Sequence, residues 1–191
     1  MNNLIILLAF ISGILQIQSD TLLDRYPIKS GMIKYQYAGR ANCIEVIFFD
    51  DYGELYYDLK TTSSTEKGKV ISRSKVKIQR QDTVIMYSTE NNTASMHLVS
   101  ELTSKLKHNI ISNEILRDMG YSMSGYEEIS GVICDKYSGE NGTMWIWNNI
   151  ILKSEMIIMD ISVKMEAIEV LTGVEVADSK FKLPKNYKLI N

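Results

Sequence analysis

Proline is scarce in this sequence, and its scarcity leaves the middle of the chain free to form a sheet. Only two prolines occur in 191 residues, Pro27 and Pro184, near the two ends. Proline has no amide hydrogen, so it removes a ladder hydrogen bond wherever it enters a central strand. The long stretch between these positions can therefore pair without lost donors, which favours an extended antiparallel sheet.

Cysteine and histidine are equally scarce, with two of each. Cys43 and Cys134 permit one intramolecular disulfide in an oxidising compartment, or they are two buried free thiols, and the sequence leaves both alternatives open. They are too few for a zinc site, and neither His97 nor His108 is close to them in sequence. Each histidine is interpreted as an ordinary surface or core residue. The sequence predicts no bound metal and no cofactor.

Charged side chains are absent from residues 1–19, and the first one is Asp20. Residues 4–17 are nearly all apolar, but this run is shorter than the ~20 residues that cross a membrane. The pattern is typical of a secretory signal peptide cleaved after Ser19, with an uncleaved anchor as the main alternative. We therefore expect an exported protein, periplasmic or associated with the outer membrane, whose mature part has no stable membrane span.

An excess of basic residues is missing too, because 21 Lys and Arg stand against 23 Asp and Glu, for a net charge of −2. This balance offers no electrostatic footprint for nucleic acid. The sequence contains no Gly-x-Ser-x-Gly elbow, phosphate-binding glycine loop or His-Glu-x-x-His helix. Asp50 and Asp51 stand beside a glycine turn and lack the spaced ligands of a calcium loop. The sequence therefore predicts a protein that is not an enzyme.

The chain does contain a long series of strand patterns, in which apolar and polar residues alternate with period two. Strands are predicted at 30–37, 43–49, 55–60, 70–79, 83–88, 94–99, 126–129, 132–137 and 144–147, with further strand signal from Ile150 onward. The polar stretch 61–68 is predicted as a mobile loop or a long hairpin tip. The alternation around Asp160 fits either one long strand or two strands with a turn there.

One amphipathic helix is predicted in mid-chain. Ser100 can cap it, and Gly120 is a natural residue to end it. Its apolar stripe consists of Leu102, Leu106, Ile110, Ile115 and Met119. Such a stripe must be buried, and the concave face of a curved sheet is the obvious surface. The predicted fold is mainly β (α+β), a curved antiparallel sheet in the form of an unclosed half-barrel packed on this helix. It forms a single domain over residues 20–191.

Three strand segments, at 43–49, 144–147 and 156–159, are apolar on both faces. Polar residues alternate in a sheet with one wet face, so these segments indicate contact with a second apolar surface. That surface is the helix, a ligand cavity or a partner, and the alternative is an ordinary core. The residues predicted to contact an apolar ligand are Leu106 and Ile110 on the helix, and Trp145 and Trp147 on a strand.

Four short segments carry a family resemblance: YPIKSGMIKY at 26–35, FFDDYG at 48–53, GVICD at 131–135 and FKLP at 181–184. They resemble strands and turns of uncharacterised envelope proteins of Bacteroidetes-type bacteria. That group is similar to the outer-membrane lipoprotein carrier (LolA/LppX-like) superfamily. The resemblance implies an unclosed, strongly curved antiparallel sheet with helical cover over an apolar cavity, which in the carrier holds acyl chains. It matches no functional residue of the carrier to a position in this chain.

Two functional interpretations follow from these patterns. The first is an exported, non-enzymatic envelope protein that binds a lipid, an acylated ligand or another apolar molecule between sheet and helix. The alternative is a structural or protein-interaction module of the envelope, with a filled core and another envelope protein as its partner. The two differ in whether the space between the sheet and its cover is open or filled.

Overall fold

The computed structural model describes residues 26–38, 42–66, 69–80, 83–98 and 109–190. The predicted signal peptide lies outside these ranges, as do four of the mid-chain residues named above: Ser100, Leu102, Leu106 and His108. The described residues form one twelve-stranded sheet, one short α-helix and two 3-10 turns.

The strands of the sheet form two antiparallel meanders that meet at the first strand. In chain order the strands are β1 Gly31–Ala38, β2 Asn42–Asp50, β3 Leu55–Glu66, β4 Lys69–Arg80, β5 Thr83–Ser88, β6 Thr93–Leu98, β7 Ser122–Ile129, β8 Val132–Gly139, β9 Gly142–Trp147, β10 Ile150–Ile158, β11 Ile161–Thr172 and β12 Lys188–Ile190. Their order across the sheet is β12-β6-β5-β4-β3-β2-β1-β11-β10-β9-β8-β7. Neighbouring strands are antiparallel except for β12, which runs parallel to β6. Strand β1 therefore joins the meander β1–β6 to the meander β7–β11.

The strands that the alternation predicts are confirmed. The stretch 61–66 continues β3 against β4, which confirms the long hairpin and not the loop for these residues. The pattern around Asp160 resolves into two strands, because Ile158 pairs with Ile161 and residues 159–160 form the turn. The predicted strand at 126–129 begins earlier, at Ser122.

The long helix predicted in mid-chain is wrong for residues 109–112. Among the described residues of the predicted helix, only α1, Asn113–Asp118, is helical. The Ser112 hydroxyl caps α1 by accepting from the Ile115 amide at 3.3 Å. Before the cap, Ile110 forms an antiparallel bridge with Ile150. Backbone hydrogen bonds of 2.8 Å lie on either side of this bridge. They stabilise the extended conformation, although the spacing of the apolar residues favours a helix. A sheet packed on one long amphipathic helix is therefore not what the described residues show.

One face of the sheet, here called the inner face, carries the larger core. Residues paired across neighbouring strands share a face, so Ile33 and Ile47 lie together, as do Phe49 and Tyr56. All four are 1% exposed or less. They belong to a cluster that also includes side chains of β8–β11 and of the segment 109–121. The inner face is thus covered by a crossing segment of the same chain.

The opposite face, here called the outer face, carries a second core. It is built on alternate residues of β3–β6, including Val76, Ile78 and Tyr87. The closing segment 173–187 covers it, and Phe181 is its anchor at 1% exposed. The Lys180 ammonium lies over two aromatic rings of the same face. Each face of the sheet therefore buries its apolar residues beneath a different segment of the chain.

A hydrogen bond across the second meander shows that the sheet curls strongly. The Ser130 hydroxyl, in the turn between β7 and β8, donates to the Ala167 carbonyl of β11 at 2.6 Å. Two strands separate β11 from β8, so a flat sheet would hold them about 14 Å apart. The predicted curved, unclosed sheet is therefore confirmed.

Gly142 tests how closely the turns of this sheet are packed. Its φ is +140°, and a β-carbon there would lie 2.1 Å from the Glu155 carbonyl oxygen. We expect Gly142→Ala to lower the free energy of unfolding, measured by urea titration, through both backbone strain and the steric clash. Gly125→Ala is the control, since Gly125 has φ +147° with open space around the added methyl. The clash should add about 1–3 kcal/mol to the loss seen in the control, and equal losses would contradict the close approach.

Candidate functional site

The inner face begins with an aromatic pair. Tyr26 stacks on Phe49 with ring centroids 3.8 Å apart and planes within 4°. Tyr26 precedes Pro27, and a residue before proline is biased to the extended conformation. Its amide donates to the Tyr52 carbonyl at 2.9 Å, which ties it to the turn after β2. These contacts hold Tyr26 in the core, at the end of β1 and β2 that lies beside this turn.

A chain of buried hydrogen bonds continues from this pair. The Tyr26 hydroxyl donates to the side-chain oxygen of Asn109 (Oδ1), the side-chain nitrogen of Asn109 (Nδ2) donates to the Tyr35 hydroxyl, and each bond is 3.0 Å long. The Tyr35 hydroxyl then donates to the Ile151 carbonyl, also at 3.0 Å. Asn109 and Tyr35 are fully buried. Four remote segments are thus joined by polar groups that satisfy one another in an apolar interior.

Burial sets the protonation of these phenols. It raises the pKa of Tyr26 well above its ordinary value, and the neighbouring Tyr35 adds to the effect. Burial also raises the pKa of Tyr35, against a smaller opposing contribution from the Asn109 hydrogen bond. Both side chains therefore stay neutral at physiological pH. They serve as hydrogen-bonding groups of the interior and not as acids or bases.

The segment 109–121 fills the inner face over the second meander. The Tyr121 ring lies 3.0 Å from where a β-carbon of Gly139 would stand, so the ring packs closely on the backbone of β8. The Tyr121 hydroxyl contacts the Met156 sulfur at 3.3 Å. The Tyr137 hydroxyl donates to the Asn113 side-chain oxygen at 3.1 Å. Side chains of the segment 109–121 therefore pack directly against these strands.

A buried carboxylate lies at the other end of the inner face. Glu45 is 1% exposed and accepts a hydrogen bond from the Tyr37 hydroxyl. The Lys60 ammonium is 3.6 Å from the second carboxylate oxygen and 4.4 Å from the centre of the Tyr37 ring. Burial, and then the charge of Glu45, raise the pKa of Tyr37. This arrangement holds the carboxylate as an ion pair, which is how a buried charge is tolerated.

Of the four residues predicted to contact a ligand, three lie within the described ranges. Ile110 and Trp147 are half-buried and pack against the core of the inner face. Trp145 is 4% exposed. Leu106 lies outside the described residues. Ile110 and Trp147 both pair with Ile150, and the contact of the four residues with a ligand stays a prediction.

Trp145 is enclosed by charged side chains. Its indole nitrogen donates to the Glu127 carboxylate at 2.7 Å, and this bond, followed by the neighbouring lysines, lowers the pKa of Glu127. The ammonium groups of Lys153 and Lys136 lie 4.5 Å and 5.0 Å from the ring centre. These lysines are the cross-strand neighbours of Trp145 and share its face of the sheet. The cluster is a cation–π arrangement that stabilises the sheet, and it places charge where an apolar ligand would need apolar surface.

Both cysteines are free and buried, so the structure has the free-thiol alternative and not the disulfide. Cys43 lies on β2 and Cys134 on β8, with four strands of the sheet between them. Burial, and then the charge of Asp135, raise the pKa of the Cys134 thiol to about 11. Burial also raises the pKa of Cys43. Both thiols therefore stay protonated and weakly reactive near neutral pH.

The remaining candidates have ordinary environments. Asp50 accepts from the Asp51 amide at 2.7 Å and caps the 3-10 turn that follows, which is a local turn contact. His97 is exposed on β6. Over the described part of the chain, no group of three or more His, Cys, Asp and Glu side chains is placed to hold a metal ion. No helix there has both the length and the apolar character to span a membrane.

Sequence reasoning missed Tyr26 and Asn109 as members of the site. They are separated by 83 positions, and Asn109 stood inside the predicted helix. The only local signal was the extended preference of Tyr26 before Pro27. A hydrogen bond between two such distant residues has no periodicity to reveal it.

No protein-family model and no curated protein matches this sequence. Among solved structures, the chain is similar to an uncharacterized conserved protein from Thermus thermophilus, with a TM-score of 0.57 and 8% identity over 86% of this chain and 91% of that one. MucB in complex with MucA(peri) aligns with a TM-score of 0.40 and 9% identity over 85% of this chain and 57% of that chain. The Pseudomonas aeruginosa MucA/MucB complex aligns with a TM-score of 0.39 and 10% identity over 84% and 58%.

These comparisons define a fold and no activity. The Thermus protein shares the whole architecture of a mainly β chain built on one curled sheet, and at 8% identity that likeness extends to the fold alone. The two MucB alignments are too distant to support an argument about this chain. The candidate site must therefore be interpreted from its own residues.

The first test of the site concerns its central amide. We expect Asn109→Ala to lower the free energy of unfolding by about 1–3 kcal/mol, because the buried Tyr26 hydroxyl loses its acceptor. Asn113→Ala is the matched control, since Asn113 also accepts from a tyrosine hydroxyl but is exposed. Urea titration of both variants measures the difference. A loss no larger for Asn109→Ala than for the control would contradict a buried network at this position.

The second test concerns pH. The pKa values of Tyr26, Tyr35 and Tyr56 are raised in the folded state, while an unfolded tyrosine titrates near 10. Their contribution to stability is therefore complete below about pH 10 and is lost as the pH rises above it. We expect the urea midpoint to fall between about pH 9 and 11, and more gently in Tyr35→Phe. An unchanged slope in that variant would show that Tyr35 ionises equally in both states.

Proposed function

We propose that this chain is an exported, non-enzymatic protein-binding domain whose inner face is closed by its own residues. The observation that carries the proposal is the packing of the segment 109–121 against the sheet. Aromatic stacking, the Tyr26–Asn109–Tyr35 hydrogen bonds and the Tyr121 packing all lie in that contact. Export rests on the signal-like pattern of residues 1–19.

The same contact argues against a lipid in this position. An acyl chain would need a pocket with mostly apolar walls, and such pockets are usually formed before the ligand binds. Separating this cover from the sheet would instead break hydrogen bonds whose groups are fully buried. Each buried polar group left unsatisfied costs about 1–3 kcal/mol. Lipid carriage, which the family resemblance implies, therefore stays the second candidate.

The non-enzymatic part of the proposal rests on the state of the titratable groups. The phenols of the inner face and both thiols are buried with raised pKa values, so they remain protonated near neutral pH. Nucleophilic catalysis requires an activated group beside a base. The buried carboxylate of Glu45 is already engaged with Tyr37 and Lys60.

Exposed apolar side chains on the second meander give a protein partner something to contact. Met123, Tyr126, Ile133, Ile157 and Met159 are between 46% and 91% exposed. Single apolar residues on a surface are ordinary, but several on one meander indicate an interaction surface. Strand β7 also ends the sheet among the described strands, and edge strands are common sites of strand addition.

Native mass spectrometry tests this proposal. The full chain would be expressed with its own leader and purified from a bacterial periplasm, then challenged with phospholipid and fatty acid. We expect a mass that begins at Asp20 and carries no adduct before or after the challenge. A stoichiometric lipid-sized adduct would overturn the closed inner face and favour the lipid carrier.

Asn109→Ala is the matched variant for that measurement. It loosens the contact between cover and sheet without changing the apolar residues. Lipid uptake by this variant but not by the natural chain would show that the inner face is closed by the hydrogen-bond network.

A further inference from the structure

One hairpin turn of the second meander carries a residue that its backbone disfavours. The two-residue turns at 130–131, 148–149 and 159–160 all have positive φ at both positions, the type I′ pattern. This pattern favours Asn, Asp and Gly. The second turn, Asn-Asn, follows that rule, and the first has the small residue Ser130 before Gly131. The third reads Met-Asp, with Met159 at φ +49°.

The fold itself does not require Met159. Asn148 occupies the same first turn position in the neighbouring hairpin, at φ +48°, with a residue type suited to it. The Cβ of any L-residue crowds the following carbonyl in the left-handed region, and methionine lacks the short polar side chain whose local hydrogen bonds offset this cost for asparagine. Its side chain is 91% exposed and regains almost nothing by packing. Such local strain persists where it serves a function, and here the benefit must come from outside the chain.

Other methionines lie at the same end of the sheet. Met156, three positions before Met159, contacts the Tyr121 hydroxyl through its sulfur. Met119 and Met123 flank Tyr121 along the chain and are 52% and 46% exposed. With Ile157, 62% exposed, these residues lie at or beside the strand ends next to the 159–160 turn, and we call them the methionine tip: Met119, Met123, Met156, Ile157 and Met159. Methionine is flexible and polarisable, and it is common on surfaces that adapt to protein partners.

The charges around the methionine tip indicate the chemistry of its partner. Three exposed carboxylates lie around the tip: those of Asp118, Glu140 and Asp160. Asp118 and Asp160 are next to Met119 and Met159 in the sequence. Glu140 lies in the turn beside the tip, where the Ile157 amide donates to the Asn141 carbonyl. The Lys164 ammonium is engaged with Glu155 at 3.4 Å. Arg117, on α1, is a second exposed basic residue near the methionine tip in the described part of the chain. This acidic border repels an anionic bilayer and complements basic side chains.

We propose that the methionine tip is a docking surface for an apolar segment of a partner protein that is flanked by lysine or arginine. This inference rests on the proposed protein-binding function and names the surface and the partner chemistry. Met159 inserts into the apolar segment, and the carboxylates around it contact the flanking basic side chains.

Two turn variants test the strain without any partner. We expect Met159→Asn to raise the urea midpoint of the purified chain, because asparagine suits the turn. Asn148→Met, the mirror substitution in the neighbouring hairpin, should lower it. A midpoint that falls in Met159→Asn would overturn the argument that Met159 is retained for something other than stability.

Site-specific photocrosslinking tests the docking. Benzoylphenylalanine would replace Met159 in the full chain, in the cell that produces it, with the same group at Asn148 as the control. We expect one protein adduct from position 159 and none from position 148, with the crosslinked peptide apolar and bordered by Lys or Arg. Adducts with lipid, with a second copy of this chain, or with a peptide of other character would overturn the proposal, as would no adduct.

The crosslinked peptide, once synthesised, gives a quantitative test. We expect Met159→Asn and Asp160→Lys each to weaken its binding at least about tenfold, while Asn148→Met leaves it unchanged. Equal binding to all four chains would overturn the proposal. A lipid adduct in native mass spectrometry defeats the proposed function itself. A protein adduct from a probe at Tyr126 but none from position 159 defeats only this inference.

Discussion

The whole sheet depends on strand β1, which is hydrogen-bonded along both edges. One edge pairs with β2 and the other with β11, so residues far apart in the chain become neighbours. Without β1 the two meanders would be separate antiparallel ribbons, each with a bare edge. The buried face of β1 also carries Tyr35, whose hydroxyl reaches the carbonyl of Ile151 on β10. The strand thus sets both the continuity of the sheet and the direction in which it curls.

Two cores on opposite faces follow from that arrangement. The inner face is covered by the segment between the meanders, and the outer face by the segment after them. A connecting segment that buries its own aromatic residues needs no further ligand to be stable. Here Tyr121 and Phe181 take that role on the two faces. The two cores are therefore separate, each closed by its own segment.

The interior and the surface of this protein differ in how their side chains are used. The polar groups of the interior satisfy one another, and the aromatic residues predicted to line a cavity are enclosed, as Trp145 is by Glu127 and two lysines. The second meander, by contrast, has apolar side chains that the fold does not use. Met159 is the clearest of them, since it combines a strained backbone with nearly complete exposure. The protein partner that we propose would account for both features together.

Local pattern was enough to locate the strands. Alternation with period two depends only on neighbouring residues, so β1, β2 and β4 were predicted to within about one residue of their ends. The same reasoning failed at Ile110, because a helical spacing of apolar residues also suits a short bridge when a strand lies alongside. The candidate site was almost wholly invisible, since Tyr26, Asn109 and Tyr35 meet only in space.

The sequence by itself determined the mainly β character of the chain, its turns and its balanced charge, because each depends on composition or short-range order. The tertiary structure alone decided that β1 joins the two meanders, that the cysteines stay apart and that the segment 109–121 packs on the inner face. These outcomes depend on which distant residues become neighbours when the sheet curls. That choice is made by the summed burial and hydrogen bonding of the whole chain, and no short segment determines it.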